Sequence, residues 1–99
     1  MPENKKRILI VDDEVDFTQM VKINLEETGR YDVRVQNNGA QAVDTALEFK
    51  PDLVLLDVIM PMIDGGDVAY QIKSNPSLGD IPIVFLTAVV KEEEMESSE

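Results

Sequence analysis

The chain has 99 residues, 43% of them hydrophobic, which suits one domain with a core rich in Leu, Ile and Val. It contains no cysteine and no histidine, which excludes a disulfide framework, thiolate or imidazole metal ligation, and a histidine nucleophile or base. The formal net charge of -11 leaves no basic stripe for direct contact with DNA or RNA, and no apolar stretch approaches the ~20 residues of a membrane span.

Met1 to Arg7 is basic at its end but has no hydrophobic region of signal-peptide length behind it, so the sequence predicts a cytoplasmic protein. Residues 7–11 predict the first strand. Ile8-Leu9-Ile10-Val11 is apolar without alternation, the pattern of a strand buried on both faces of a parallel sheet. It runs into the loop Asp12-Asp13-Glu14. Phe17, Met20, Val21, Asn24, Leu25 and Thr28 recur at spacings of three and four, which predicts one inward helix face, and Gly29 ends that helix. Glu14 and Asp16 suit its N-terminus through the helix dipole. Tyr31, Val33 and Val35 alternate with charged residues, so the second strand is half exposed and near a sheet edge.

Asn37-Asn38-Gly39 is a turn, and either asparagine can cap the second helix, whose inward face is Val43, Ala46 and Leu47. Pro51-Asp52 breaks that helix and leads into the third strand, Leu53-Val54-Leu55-Leu56, which runs into Asp57. A loop follows, with Met60, Met62 and Ile63 expected to pack. The third helix starts near Gly66 or Asp67, turns Val68 and Ile72 inward and stops at Asn75-Pro76. Ile83-Val84-Phe85-Leu86 forms the fourth strand and runs into Thr87. Val89 to about Met95 begins a fourth helix, and Glu92-Glu93-Glu94 is a solvated face. The order βαβαβαβ predicts right-handed crossovers and a doubly wound, open parallel α/β sheet in a single domain over residues 1–99.

Three apolar strands thus end in oxygen-bearing side chains, and the ligand site of an open parallel sheet lies outside the carboxyl ends of its strands. Asp12, Asp13 and Asp57 bring carboxylates to that edge and Thr87 brings a hydroxyl. Taken singly, each is an ordinary turn, cap or strand-end residue; the argument rests on their convergence. Clustered carboxylates repel one another, a divalent cation resolves the repulsion, and hard oxygen ligands select magnesium, manganese or calcium. Magnesium keeps open positions that a phosphate oxygen can occupy, and a carboxylate beside such an ion can attack a phosphoryl group in line.

The segments Ile8 to Glu14, Pro51 to Gly65 and Asp80 to Ala88, with Asn38-Gly39 before the second helix, resemble the receiver domain of two-component response regulators over nearly the whole chain. The resemblance implies a flavodoxin-like strand order. It implies that Asp57 accepts a phosphoryl group from a phosphohistidine on a sensor histidine kinase or phosphotransfer protein. It further implies that Asp13 and Asp57 bind Mg2+ directly, or Mn2+ in its place, that Asp12 does so largely through water, and that the Ile59 backbone carbonyl completes the set. Thr87 would be the switch hydroxyl. Such a chain catalyses its own phosphorylation and dephosphorylation and is not a turnover enzyme.

The chain departs from the family pattern in its last third. Receivers carry a fifth strand ending in lysine and then a fifth helix, and Glu99 comes before both. Lys91 stands only four residues beyond Thr87, too near to match that lysine, and the aromatic partner of the switch threonine is missing. Gly66 stands where a large apolar residue is usual. The expectation is therefore a C-terminally shortened receiver whose residues 83–86 form an open edge, suited to a homodimer or strand exchange. Two other readings compete. One is a receiver-fold interaction module that no longer switches. The other is a small aspartyl-phosphate hydrolase, against which Asp57-Val58-Ile59 lacks a second acid two residues on.

Overall fold

A computed structural model describes residues 5–86; Thr87, Lys91, the glutamate run and the expected fourth helix lie outside them. The elements are β1 (Lys6–Val11), α1 (Val15–Glu27), β2 (Tyr31–Gln36), a 3-10 turn (Gly39–Gln41), α2 (Ala42–Phe49), β3 (Leu53–Asp57), α3 (Gly65–Ser74) and β4 (Ile83–Leu86). All strand pairings are parallel and the sheet order is β2-β1-β3-β4. The chain winds outward from β1 in both directions: this is the doubly wound sheet that the alternation of elements predicts, in the flavodoxin-like order that the resemblance implies.

The unalternating strands are covered on both faces in the middle of the sheet. Leu9, Val11, Val54 and Leu56 pack with Ala42, Ala46, Val68, Ile72 and Leu78 beneath α2 and α3. Ile8, Ile10 and Val33 pack on the opposite face with Val21 and Leu25 of α1. In β4 the same apolar pattern is covered only in part among the described residues: Ile83 and Leu86 pack against the core, and the two residues between them do not. Val84 is 49% exposed and Phe85 43%.

The inward face of α1 differs from the expectation. Thr18 is fully buried and Val21 and Leu25 pack inward, whereas Met20 is 48% exposed and Asn24 and Thr28 are exposed. The stripe is rotated toward Thr18 because its hydroxyl is satisfied locally, donating to the Val15 carbonyl at 2.9 Å. A buried threonine is cheap once that bond is made, and apolarity alone does not reveal it. Gly29 does end the helix, at φ +77°, in the left-handed region where a side chain is strained.

The middle of the β2 edge is engaged by α1. Lys22 Nζ donates to the Val33 carbonyl at 3.0 Å, and Glu26 Oε2 accepts from the Val33 amide at 3.0 Å. The two side chains also pair with each other at 2.9 Å. They occupy the outward amide and carbonyl of Val33, in the middle of an edge strand, which hinders further pairing there.

The start of α3 lies at Gly65, one residue before the expected position, because Asp64 caps it and accepts from the Gly66 amide at 2.8 Å. A side chain at Gly65 would strike the Asp57 carbonyl oxygen and come within 2.6 Å of Val58 Cα. Both are backbone atoms and cannot swing aside, so Gly65→Ala is expected to lose about 2–3 kcal/mol of stability by overpacking, read as a lower urea midpoint.

The hydrogen bond from Lys22, then the one from the Val33 amide, hold the Glu26 carboxyl below its ordinary range against a smaller opposing effect of burial. Its folded value lies below its unfolded value, so its contribution to stability is full above about pH 4.3 and is lost as pH falls through the folded value. Glu26→Gln is expected to flatten the loss of stability between about pH 5 and pH 3, measured by urea unfolding across that range.

Candidate functional site

The β1–β3 register sets the site. Val11 pairs with Leu56, so the chain leaves the two strands at Asp12 and Asp57, neighbours at the carboxyl edge. Asp12 is fully buried, Asp57 is 2% exposed and Asp13, next along the loop, is half-buried. One carboxylate oxygen from each of Asp12, Asp13 and Asp57 lies within 4.8 Å of the others. The three acids singled out in the sequence therefore meet.

Local bonds hold them. The Asp12 amide donates to the Gln36 carbonyl at 3.2 Å, which fastens the end of β1 to the end of β2. Asp12 Oδ1 accepts the Glu14 amide at 2.9 Å, a tight turn of the kind aspartate favours. Asp57 Oδ1 accepts the Ile59 amide at 3.3 Å. Leu86 pairs with Asp57 across the sheet, so β4 ends level with the site; Thr87 itself lies outside the described residues.

The flanking loops divide their roles. Asn38 caps the 3-10 turn, accepting from the Ala40 amide at 3.0 Å. Asn37 caps nothing; its amide nitrogen turns to the Asp12 carbonyl at 2.7 Å. Met60 is buried as expected and Ile63 packs against the core, but Met62 is 88% exposed. The Ile59 side chain is exposed at 67%. A groove of about 260 Å³ opens beside the acids between these loops, with Asp13 and Asn37 on one side and Met60 and Met62 on the other.

The donor set suits a small hard cation. Two adjacent buried carboxylates repel each other, and burial raises the penalty for each charge unless a positive partner is present. Magnesium bonds oxygen at about 2.0–2.1 Å, so its direct ligands lie roughly 3–4 Å apart, and a 4.8 Å spread leaves room for one acid to act through water. The residues present fit Mg2+.

The family model described as the response regulator receiver domain matches residues 8–98. The chain belongs to this family. Among curated proteins, this receiver is 41% identical over 91 residues to the alkaline phosphatase synthesis transcriptional regulatory protein PhoP of Bacillus subtilis, covering 92% of this chain and 36% of that protein. It is 39% identical over 88 residues to the DNA-binding response regulator MtrA of Mycobacterium tuberculosis, covering 89% of this chain and 37% of that one. The receiver thus spans about a third of the length of these relatives.

Solved receivers share the fold. The response regulator TrrA of Thermotoga maritima, solved in complex with Mg2+-BeF, has a TM-score of 0.75 and 40% identity, covering 84% of this chain and 70% of that one. The N-terminal domain of a response regulator receiver protein from Methanoculleus marisnigri has a TM-score of 0.78 and 35% identity, covering 83% of this chain and 66% of that one.

Replacing Asp13 by Asn removes one of three crowded charges without changing the side chain's shape. In metal-free buffer the variant is expected to gain about 1 kcal/mol of stability, seen as a higher urea midpoint.

Proposed function

We propose that this receiver is a magnesium-assisted phosphoacceptor switch, with Asp57 as the acceptor. The observation that carries the reading is the meeting of Asp12, Asp13 and Asp57 at the carboxyl edge of the sheet, in a chain of this family. The solved relative TrrA, bound to Mg2+-BeF, supports the same chemistry here.

Asp12, Asp13, Asp57 and the Ile59 backbone carbonyl would hold the ion, which supplies positive charge to offset that of the phosphoryl oxygens. Asp57 does the bond making. Its carboxylate oxygen forms the new O–P bond, the P–N bond to a donor phosphohistidine breaks, and the electron pair leaves with the imidazole nitrogen. The Ile59 amide orients the Asp57 carboxylate. The donor is a histidine kinase or phosphotransfer protein, and the switch works in the cytoplasm beside it. No helix among the described residues is long and apolar enough to cross a membrane. We assign the switch hydroxyl to Thr87, which follows Leu86 in sequence. The added charge would bias two packings of the domain.

PhoP and MtrA carry transcriptional and DNA-binding names. With a net charge of -11, the residues here suit the switch and not the DNA contact. The exposed Val84 and Phe85 of β4 favour a second reading, an interaction module that pairs with another copy at this edge.

The test is labelling with a small acyl phosphate, followed by intact mass. One added phosphoryl group is expected in magnesium, none after chelation and none in Asp57→Asn. Label that persists in Asp57→Asn refutes the acceptor assignment. A chain that takes no label yet self-associates is the interaction module, and sustained release of phosphate over many turnovers makes it a hydrolase.

A further inference from the structure

Two of the three site acids sit on a loop, and a loop holds side chains only as firmly as its backbone is tied down. The Asp12-Asp13 loop is tied by a closed ring of hydrogen bonds. Asn37 Nδ2 donates to the Asp12 carbonyl at 2.7 Å and to Thr18 Oγ1 at 3.1 Å. The Thr18 amide donates to the Glu14 carbonyl at 3.1 Å. The Glu14 amide donates to Asp12 Oδ1 at 2.9 Å, which closes the ring.

The donor directions agree throughout. A carbonyl only accepts, so the nitrogen of the Asn37 amide must face Asp12. Thr18 gives its hydroxyl proton to the Val15 carbonyl at 2.9 Å and so turns a lone pair toward Asn37. Both hydrogens of the Asn37 amide group are used. Thr18 is fully buried and Asn37 half-buried, so little water competes for these bonds.

The Asp12 carbonyl belongs to the peptide group that leads into Asp13. Fixing that oxygen fixes the plane from which Asp13 projects, while the Asp12 amide is already held by Gln36. We infer that Asn37, braced by Thr18, is a positioning residue for the metal carboxylates. Its bond to the Asp12 carbonyl sets the Asp12-Asp13 peptide so that both acids reach the place of Asp57. The inference rests on the phosphoacceptor reading and names a residue that reading does not need. It also accounts for the two features of this region that were unexpected: a buried threonine on α1 and an asparagine that caps nothing.

A merely structural role would lower stability and leave the metal site alone, so the test reads metal affinity. Magnesium chloride is titrated by calorimetry into the parent chain, Asn37→Leu, Thr18→Val, the double variant and Thr18→Ser. Asn37→Leu is expected to bind magnesium about tenfold more weakly, the low end of the loss typical when a group that orients a ligand is removed. Thr18→Val loses affinity in the same direction, and Thr18→Ser, which keeps the oxygen, binds as the parent does. The double variant binds no more weakly than Asn37→Leu, because both changes open one ring. Urea unfolding of each variant runs alongside. Reduced stability with parental magnesium affinity in Asn37→Leu and Thr18→Val overturns the inference and leaves the phosphoacceptor reading standing. If Asn37→Leu does not fold, Thr18→Val against Thr18→Ser decides on the same criterion. A parent chain that binds no magnesium overturns both.

Discussion

The parallel register of β1 against β3 is the constraint on which the site depends. A strand pair shifted by one residue would turn every side chain to the opposite face of the sheet. Here Val11 lies against Leu56, and both belong to the core under α2 and α3. That apolar pairing delivers Asp12 and Asp57 to the edge as neighbours. The hydrophobic pattern and the placement of the acids are therefore one property of the sequence.

The energetics follow the same division. An ion moved into a protein interior carries a penalty of several kcal/mol. Asp12 and Asp57 are nearly fully buried. Beneath them Leu9, Ile10, Val11, Val54 and Leu56 are fully buried, and each such side chain contributes about 1.5–3 kcal/mol. The core is thus large enough to hold an acid cluster that weakens the fold when no cation is present. Gly65 makes the same compromise at backbone level, since α3 begins so close to Asp57 that no side chain fits there.

Much of this was legible in the sequence because it rests on strong local signals. The strands at Ile8–Val11 and Leu53–Leu56, the glycine that ends α1, the stop at Asn75-Pro76 and the three converging acids all follow from apolar runs and turn chemistry. The inward face of α1 was legible only in part: Val21 and Leu25 pack inward as expected, but the burial of Thr18 depends on a hydroxyl bond that apolarity does not encode. The division between Met60, buried, and Met62, exposed, was not legible, since neighbouring loop residues of one type carry no periodicity to separate them. The role of Asn37 was hidden for a similar reason. The pair Asn37-Asn38 reads as a cap, and only the position of β1 beside β2 shows which asparagine turns away from the helix.

The two borders of the sheet differ in kind. At β2 the charged pair from α1 sits on the outward amide and carbonyl of Val33, so the middle of that border is occupied by the chain's own side chains. At β4, Val84 and Phe85 face outward on opposite sides of the strand. Among the described residues β4 is the other border of the sheet, and there Leu86 stands level with Asp57. A strand added there would come to rest beside the acid cluster, so the β4 border and the three acids share a single rim of the molecule.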